Sequence, residues 1–156
     1  MLFRSANSGS VLFLRLSGTG DKATLTSLGA VTVGALPDSV AFNAAGTKLV
    51  VANEGEAIDS TTTDAEGSIS IIDVSAFGAN TTDVSGFTTT ALGFTAYNSQ
   101  KVKLELLGIR LSEGTAGATA AQDFEPEAIA IIGNSAYVTL QENNAIAEVE
   151  IGRAHV

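Results

Sequence analysis

Short stretches of alternating apolar and polar residues run along most of the chain and predict β-strands. The alternation is cleanest at residues 68–73 (SISIID), where every second side chain would face the same side of a sheet. Other apolar runs are bounded by Gly, Ser, Thr or Asn, which are turn-forming residues. Together these patterns predict strands at residues 11–16, 23–33, 39–43, 48–53, 68–73, 128–132, 136–141 and 145–150.

Residues 94–111 fit two kinds of element. The apolar residues Val102, Leu104 and Leu106 alternate as in a strand, whereas Gly108 would end a helix. Because Gln, Lys, Glu and Leu are helix formers, we predict one short helix near 99–107. The small and polar residues at 75–90 and 112–121 predict an irregular loop and a linker, respectively.

One sequence pattern occurs twice. Residues 36–56 and 122–144 each place a proline and an acidic residue, Pro37-Asp38 and Pro126-Glu127, before two apolar strands with an acidic exit. Such self-similarity is typical of repeat folds, and the order strand, strand, acidic segment, strand matches three of the four strands of a propeller blade. We therefore predict a mainly all-β fold, a partial β-propeller of about two blades of antiparallel strands, with one short helix near 99–107.

The two ends of the chain match translated sequencing adapter. Residues 1–5 (MLFRS) correspond to GTG CTC TTC CGA TCT with GTG as the start codon, and residues 151–156 (IGRAHV) correspond to ATC GGA AGA GCA CAC GTC. We therefore expect residues 1–5 and 151–156 to be adapter-derived, as other non-native ends are. Residues 6–150 would then be a fragment of a longer β-propeller domain.

The composition excludes several kinds of binding and catalytic site. With Asp+Glu 17 against Lys+Arg 8, the net charge is −9, which repels nucleic acids and anionic membrane surfaces and favours cation binding. The chain has no cysteine, and its single histidine, His155, lies in the expected adapter-derived tail. Residues 6–150 therefore offer no thiolate and no histidine for catalysis or metal binding. No apolar stretch approaches the roughly 20 residues of a membrane span.

Two acidic residues stand at equivalent places in the repeats. Asp38 and Glu127 begin the strands that would line a propeller channel, and with Glu54 and Glu142 they are candidate Ca²⁺ ligands, because Ca²⁺ takes several oxygen ligands in irregular geometry. The structural alternative is that an acidic residue beside proline accepts backbone hydrogen bonds and fixes the turn. That alternative is favoured because the motif has no fixed ligand spacing.

The loop at residues 54–67 is a second candidate Ca²⁺ site. It contains five carboxylates and no basic residue: Glu54, Glu56, Asp59, Asp64 and Glu66. Its spacing does not match an EF-hand, so a solvated acidic loop remains an equal alternative. Separately, Glu125 and Glu127 are two residues apart, which on a strand places both side chains on one face, where a carboxylate pair could act as acid and base.

Several motifs resemble the choice-of-anchor I proteins, a bacterial secreted and cell-surface family with YVTN-type repeats similar to haem d1-like propellers. They are VGALPDSVAFNAAGTKLVVANEGE, DAEGSISIIDVS, FTAYN, GIRL, and AQDFEPEAIAI with AYVTLQENNAIAEVEI, and they cover most of residues 33–150 in order. The resemblance implies an extracellular, cell-surface or periplasmic location. We expect a non-catalytic binding or scaffold segment, for which the carboxylates make Ca²⁺ a candidate stabilising ion, with no other cofactor.

The resemblance leaves partner and chemistry open. The expected partners are an extracellular ligand or sibling domains of the parent protein, without nucleic acid and without membrane insertion of this segment. The alternative function is part of a calcium-dependent alkaline phosphatase-like phosphoesterase, because related proteins carry such domains. No catalytic residue is assigned.

Overall fold

Three antiparallel β-sheets follow one another along the chain. The computed structural model describes residues 2–3, 7–56, 64–111 and 117–152. In these residues the strands are β1 (Leu2–Phe3), β2 (Gly9–Ser17), β3 (Thr24–Val33), β4 (Pro37–Phe42), β5 (Lys48–Asn53), β6 (Ser68–Asp73), β7 (Thr88–Gly93), β8 (Pro126–Ile132), β9 (Ser135–Leu140) and β10 (Ala145–Glu150). The first sheet is β1–β3, the second is β4–β7 and the third is β8–β10.

Short helical segments connect the strands. Helix α1 (Lys101–Leu106) continues from a 3-10 helix at Thr95–Gln100, and helix α2 (Ala120–Asp123) comes just before the third sheet. Another 3-10 helix, Gly20–Lys22, joins β2 to β3. Neither α1 nor any other helix in the described ranges is long and apolar enough to cross a membrane.

The all-β fold class predicted from the alternation is confirmed. The predicted bounds of three strands are those found for β5, β6 and β10, and the helical interpretation of residues 99–107 is confirmed by α1. The loop predicted for residues 75–90 is wrong at its end, because β7 begins at Thr88. Most side chains of β7 are exposed, so its pairing with β6 left no apolar alternation to detect.

The linker predicted for residues 112–121 is also wrong at its end, where α2 begins. Thr119 and Gln122 form a capping box: the Thr119 hydroxyl accepts from the Gln122 backbone N–H, and the Gln122 side-chain oxygen accepts from the Thr119 backbone N–H. These bonds satisfy N–H groups that a helix start leaves free. Helix α2 is one turn long, too short for its apolar period to be visible in the sequence.

The strand register confirms the equivalence of Asp38 and Glu127 and corrects the end of the repeat. Pro37 pairs with Asn53 and Pro126 pairs with Leu140, and both strands have a register shift directly after the proline. Asn53 therefore corresponds to Leu140, so the acidic exit follows the strand directly at Glu54 in the first copy and one residue later, at Glu142, in the second. The two copies share the same bulged strand start, which turns the acidic residue out of the ladder.

The second sheet is covered on both faces. Toward the first sheet, Leu49, Val51 and Ile72 pack with Val11 and Val33. Because both faces are buried, β5 is a continuous apolar run and not an alternating one.

Toward the third sheet, the opposite face of the second sheet forms the larger core. Val50 and Ile69 pack there with Ala136, Val138 and Val149. Ile151, which lies in the segment expected to be adapter-derived, is buried in the same core. An acidic pocket opens where loops leave this pair of sheets.

Candidate functional site

An acidic pocket of about 230 Å³ lies where the exit of β5, the turn after β9 and the start of β8 meet. It is lined by six carboxylate residues, one guanidinium and one amide: Glu54, Glu56, Asp123, Glu125, Glu127, Glu142, Arg110 and Asn143. Four of these had been predicted as metal ligands from the sequence: Glu54, Glu56, Glu127 and Glu142. The repeat pattern thus indicated residues that the fold does bring together.

Backbone hydrogen bonds fix the side of the pocket that follows β5. The Glu54 N–H donates to the Leu36 carbonyl (2.9 Å), and the Gly55 N–H donates to the Ala35 carbonyl (3.2 Å). Gly55 has φ +74°, a conformation that glycine adopts without a steric penalty. These contacts hold the chain at the strand exit, so Glu54 and Glu56 are both placed at the pocket.

The start of β8 supplies the other wall. Glu125 and Glu127 flank the buried Pro126 and both line the pocket, as their two-residue spacing predicted. Glu127 lies in the bulge that follows the proline. The pair therefore shares one surface with the glutamates of the β5 exit.

Asn143 connects the segments around the pocket. Its side chain is 2% exposed, and its amide nitrogen donates to the carbonyls of Arg110 (2.8 Å) and Asp123 (2.6 Å). Its side-chain oxygen accepts from the Glu125 N–H (3.1 Å). One buried amide thus joins its own turn to two other segments, at Arg110 and at residues 123–125, and it holds Glu125 in position.

Two cations approach the pocket, each with its own carboxylate. The Arg110 guanidinium contacts the Glu142 carboxylate (2.9 Å) and donates to the Glu142 carbonyl (2.7 Å), but both side chains are largely exposed, so the pair adds little stability. The buried Asp123 pairs with Lys101 of α1, whose ammonium also donates to the Ala118 carbonyl (2.7 Å). The six carboxylate residues of the pocket outnumber these two cations.

The excess negative charge of the pocket helps to raise the proton affinity of two of its glutamates, Glu125 and Glu127. Burial, followed by the negative charges of Glu56, Glu54, Glu142 and Glu127, raises the pKa of Glu125 from 4.5 to about 7. Burial also raises the pKa of Glu127, with further contributions from Glu142, Asp38 and Glu56. The pocket therefore favours protonation of Glu125 near neutral pH.

The other predicted ligands lie apart from the pocket lining. Asp38 is exposed, and its charge contributes to the raised pKa of Glu127. Glu66 is exposed in the loop before β6. The backbone carbonyl of Asp64 accepts a hydrogen bond from the Gln122 side chain (3.0 Å). Asp59 lies outside the described residues. Nowhere in the described ranges are three or more carboxylates or histidines grouped closely enough to hold a metal ion as they stand.

Sequence reasoning missed Arg110, Asp123 and Asn143. Arg110 and Asn143 are 33 residues apart, and no local pattern links them. The only available signal was their position inside the family-like motifs, since Arg110 is in GIRL, Asp123 in AQDFEPE and Asn143 in QENN. Those motifs thus contain the residues that build the pocket.

We expect the folded chain to lose stability as pH rises through neutrality. The pKa of Glu125 is about 7 in the folded state against 4.5 for the free group, so its contribution is complete below about pH 4.5 and is lost as pH rises through about 7. Allowing for partial solvent exposure, we expect a decrease of about 1–2 kcal/mol in the unfolding free energy between pH 5 and 8. Urea unfolding at a series of pH values measures it.

Glu125→Gln should flatten that pH profile, because the amide cannot ionise. Glu66→Gln is the matched control, since Glu66 is exposed and does not line the pocket. Equal pH slopes for wild type and Glu125→Gln would contradict the assignment of the raised pKa to Glu125.

Comparison with known proteins gives one family. A family model described as "Choice-of-anchor I domain" matches residues 4–156, which include every residue that lines the pocket. A search of curated proteins and a search of solved structures each gave no match.

Proposed function

The chain belongs to the choice-of-anchor I domain family, and from that premise we propose that it is a non-catalytic binding and scaffold segment of a bacterial extracellular, cell-surface or periplasmic protein. The scaffold role is supported by the second sheet, which is buried on both faces between its neighbours. The binding role is supported by the acidic pocket at one end of these sheets. Its expected partners are an extracellular ligand or sibling domains of the parent protein.

We further propose that the three sheets, rather than the roughly two blades predicted from the sequence, are consecutive blades of a YVTN-type, haem d1-like β-propeller. The second sheet has the four antiparallel strands of a blade, connected in sequence order. Its first strand, β4, contacts β8, the first strand of the third sheet, as expected for inner strands around a channel. Asp38 and Glu127 would then lie at equivalent places on neighbouring inner strands.

Ca²⁺ is the ligand that we propose for the acidic pocket. The observation that carries this proposal is the convergence of six carboxylate residues, with one guanidinium, on a single pocket. Carboxylate oxygens are hard ligands that suit Ca²⁺, which also accepts water molecules and irregular geometry. Because no three carboxylates are grouped for direct coordination in the described ranges, binding would draw the side chains together or use bridging waters.

The alternative, a calcium-dependent alkaline phosphatase-like phosphoesterase, has less support. A phosphate ester is an anion, and an acidic pocket repels it unless bound cations first reverse the local charge. The arrangement of charges therefore favours cation binding over phosphoester hydrolysis.

We expect Ca²⁺ to stabilise the chain at pH 7.5. A ligand present at ten times its Kd adds about 1.4 kcal/mol to the unfolding free energy, and this should appear as a rise in Tm during CaCl₂ titration. Glu127→Gln with Glu142→Gln should abolish the rise, because both residues line the pocket. Asp64→Asn with Glu66→Gln removes the same charge from the loop before β6 and should leave the rise unchanged.

Each outcome of the titration decides between sites. If CaCl₂ does not raise the Tm of the wild type, the calcium proposal is wrong. If the rise is lost only in the variant with Asp64→Asn and Glu66→Gln, the Ca²⁺ site lies in the loop before β6. In parallel, the hydrolysis of p-nitrophenyl phosphate by the chain is measured with and without Ca²⁺. Calcium-dependent hydrolysis that is lost in the Glu127 and Glu142 variant would replace the scaffold function with the phosphoesterase.

A further inference from the structure

Residues 74–87 form a compact loop whose two ends meet. Asp73 and Thr88, which flank the loop, are register partners in β6 and β7, so the chain leaves and re-enters the second sheet at one point. A Cβ at Gly86 would be 3.2 Å from the Ala76 Cβ, so the loop also folds back on itself. A compact surface loop of this length with adjacent ends is an Ω loop, and such loops are frequently functional.

The first sheet holds this loop in place. The Arg15 guanidinium donates to two successive backbone carbonyls of the loop, at 2.8 and 3.0 Å, and lies over the ring of Phe77. Phe87 packs edge-to-face on Phe13 of β2, with the ring centroids 5.1 Å apart. These contacts fix the loop before any ligand binds, and a preorganised site loses less entropy on binding than a mobile one.

A pocket of about 250 Å³, the loop pocket, lies within this loop. Its lining supplies an amide, three hydroxyls, a carboxylate and one aromatic ring: Ala76, Asn80, Thr81, Thr82, Asp83, Ser85, Gly86 and Phe87. None of these described lining residues is basic. The polar groups can both donate and accept hydrogen bonds, and the half-buried Phe87 provides an apolar wall.

Hydrogen bonds within the loop fix two of these polar residues. The Thr81 hydroxyl accepts from the Gly78 N–H (2.8 Å) and donates to the Ala76 carbonyl (3.3 Å). One carboxylate oxygen of Asp83 accepts from the Ser85 N–H (2.8 Å). Hydrogen bonds from the Ser85 side chain and backbone lower the pKa of Asp83, so its carboxylate is charged at neutral pH and acts as an acceptor.

Other polar groups of the loop pocket are available to a ligand. Asn80 and Thr82 are exposed, and within the described part of the chain the Asn80 amide and the Thr82 hydroxyl make no hydrogen bond to the protein. The Asp83 carboxylate retains acceptor capacity beyond its bond to Ser85, because two oxygens offer about four lone-pair sites. An amide, a hydroxyl and a carboxylate in one pocket suit a ligand with several hydroxyl groups, each of which donates and accepts.

We propose that the loop pocket binds a neutral sugar, as a single hexopyranose ring. A sugar ring carries hydroxyl groups for the polar lining and C–H groups that can contact Phe87. The pocket is smaller than those that hold drug-sized ligands, so it suits one ring. Asp83 and the net charge of −9 disfavour an anionic ligand, and a single carboxylate makes Ca²⁺ a weaker candidate here than in the acidic pocket.

NMR titration of the ¹⁵N-labelled full chain with the methyl glycosides of glucose, galactose and mannose tests the proposal. At least one of them should shift the backbone amides of residues 76–87 saturably, with a Kd on the order of 1–10 mM, because one ring in an open pocket makes few contacts. The methyl glycoside of the corresponding uronic acid should bind at least threefold more weakly, because Asp83 repels its carboxylate.

Asn80→Ala combined with Asp83→Ala should weaken sugar binding at least tenfold, because it removes the amide and the carboxylate of the loop pocket. Asn134→Ala combined with Asp21→Ala is the matched control, which removes the same two groups from exposed residues elsewhere and should keep the wild-type affinity. Thr82→Val nearly preserves the side-chain shape and removes only a hydroxyl. It should weaken binding at least twofold, and it provides the test if the double variant does not fold.

The sugar proposal is wrong if none of the three glycosides shifts the loop amides at about 100 mM, roughly ten times the weakest expected Kd. Equal affinity of the loop variants and the control would contradict it, and tighter binding of the uronic acid would show an anion site instead. The inference rests on the proposed function only in expecting an extracellular ligand. Because the two pockets share no residue, CaCl₂ titration of the loop variants tests the acidic pocket independently.

Discussion

Replacing Asn143 with alanine is expected to lower the free energy of unfolding by about 3 kcal/mol. The side chain makes three hydrogen bonds, to the carbonyls of Arg110 and Asp123 and from the N–H of Glu125. Because Asn143 is buried, alanine would leave these three backbone groups without their partner, at about 1 kcal/mol each. Urea unfolding near pH 6 measures the loss.

Two further variants separate the causes of that loss. Gln141→Ala changes an exposed residue of the same turn and should cost less than about 0.5 kcal/mol. Asn143→Asp keeps the size of the side chain but loses the donor and adds a negative charge beside Glu125, so it should destabilise at least as much as alanine at pH 7.5. A loss below about 1 kcal/mol for Asn143→Ala would show that water replaces the amide without cost.

The strands could be predicted because their cause is local. β6 and β10 alternate, and β5 is a continuous apolar run because sheets cover it on both sides. β7 was not predicted, because its exposed threonines show no alternation of apolar and polar residues. Its pairing with β6 is what makes it a strand. Local patterning thus predicts elements that bury a face, and it fails at exposed edges.

Four of the eight residues that line the acidic pocket could be predicted from the sequence: Glu54, Glu56, Glu127 and Glu142. Glu127 could be identified because a repeat places it where Asp38 stands in the other copy. Arg110 and Asn143 meet only in the folded chain, through backbone carbonyls that any residue could supply. A sequence shows which charges exist, whereas their positions depend on contacts between distant segments.

The packing role of Gly67 could not be predicted from the sequence either, because the sequence indicates only that Gly67 lies in a loop. In the fold it lies against the segment that carries Glu125. Its N–H donates to the Ala121 carbonyl (2.9 Å), and a Cβ at this position would be 1.9 Å from the Phe124 carbonyl oxygen and 2.8 Å from Pro126 Cδ. These are backbone and ring atoms, which cannot rotate away as a flexible side chain could.

Gly67→Ala is therefore expected to cost at least about 3 kcal/mol of unfolding free energy, since one segment must move. The displaced segment contains Glu125, so the pH dependence of stability between pH 5 and 8 should weaken in the same variant. Gly93→Ala is the matched control, because a Cβ there meets nothing within 4 Å, and it should change stability by less than about 0.5 kcal/mol. Urea unfolding at pH 5 and pH 8 gives both quantities. If the two alanine variants were equally stable, the loop before β6 would not be packed against Phe124, and the pocket would lose the support that fixes Glu125.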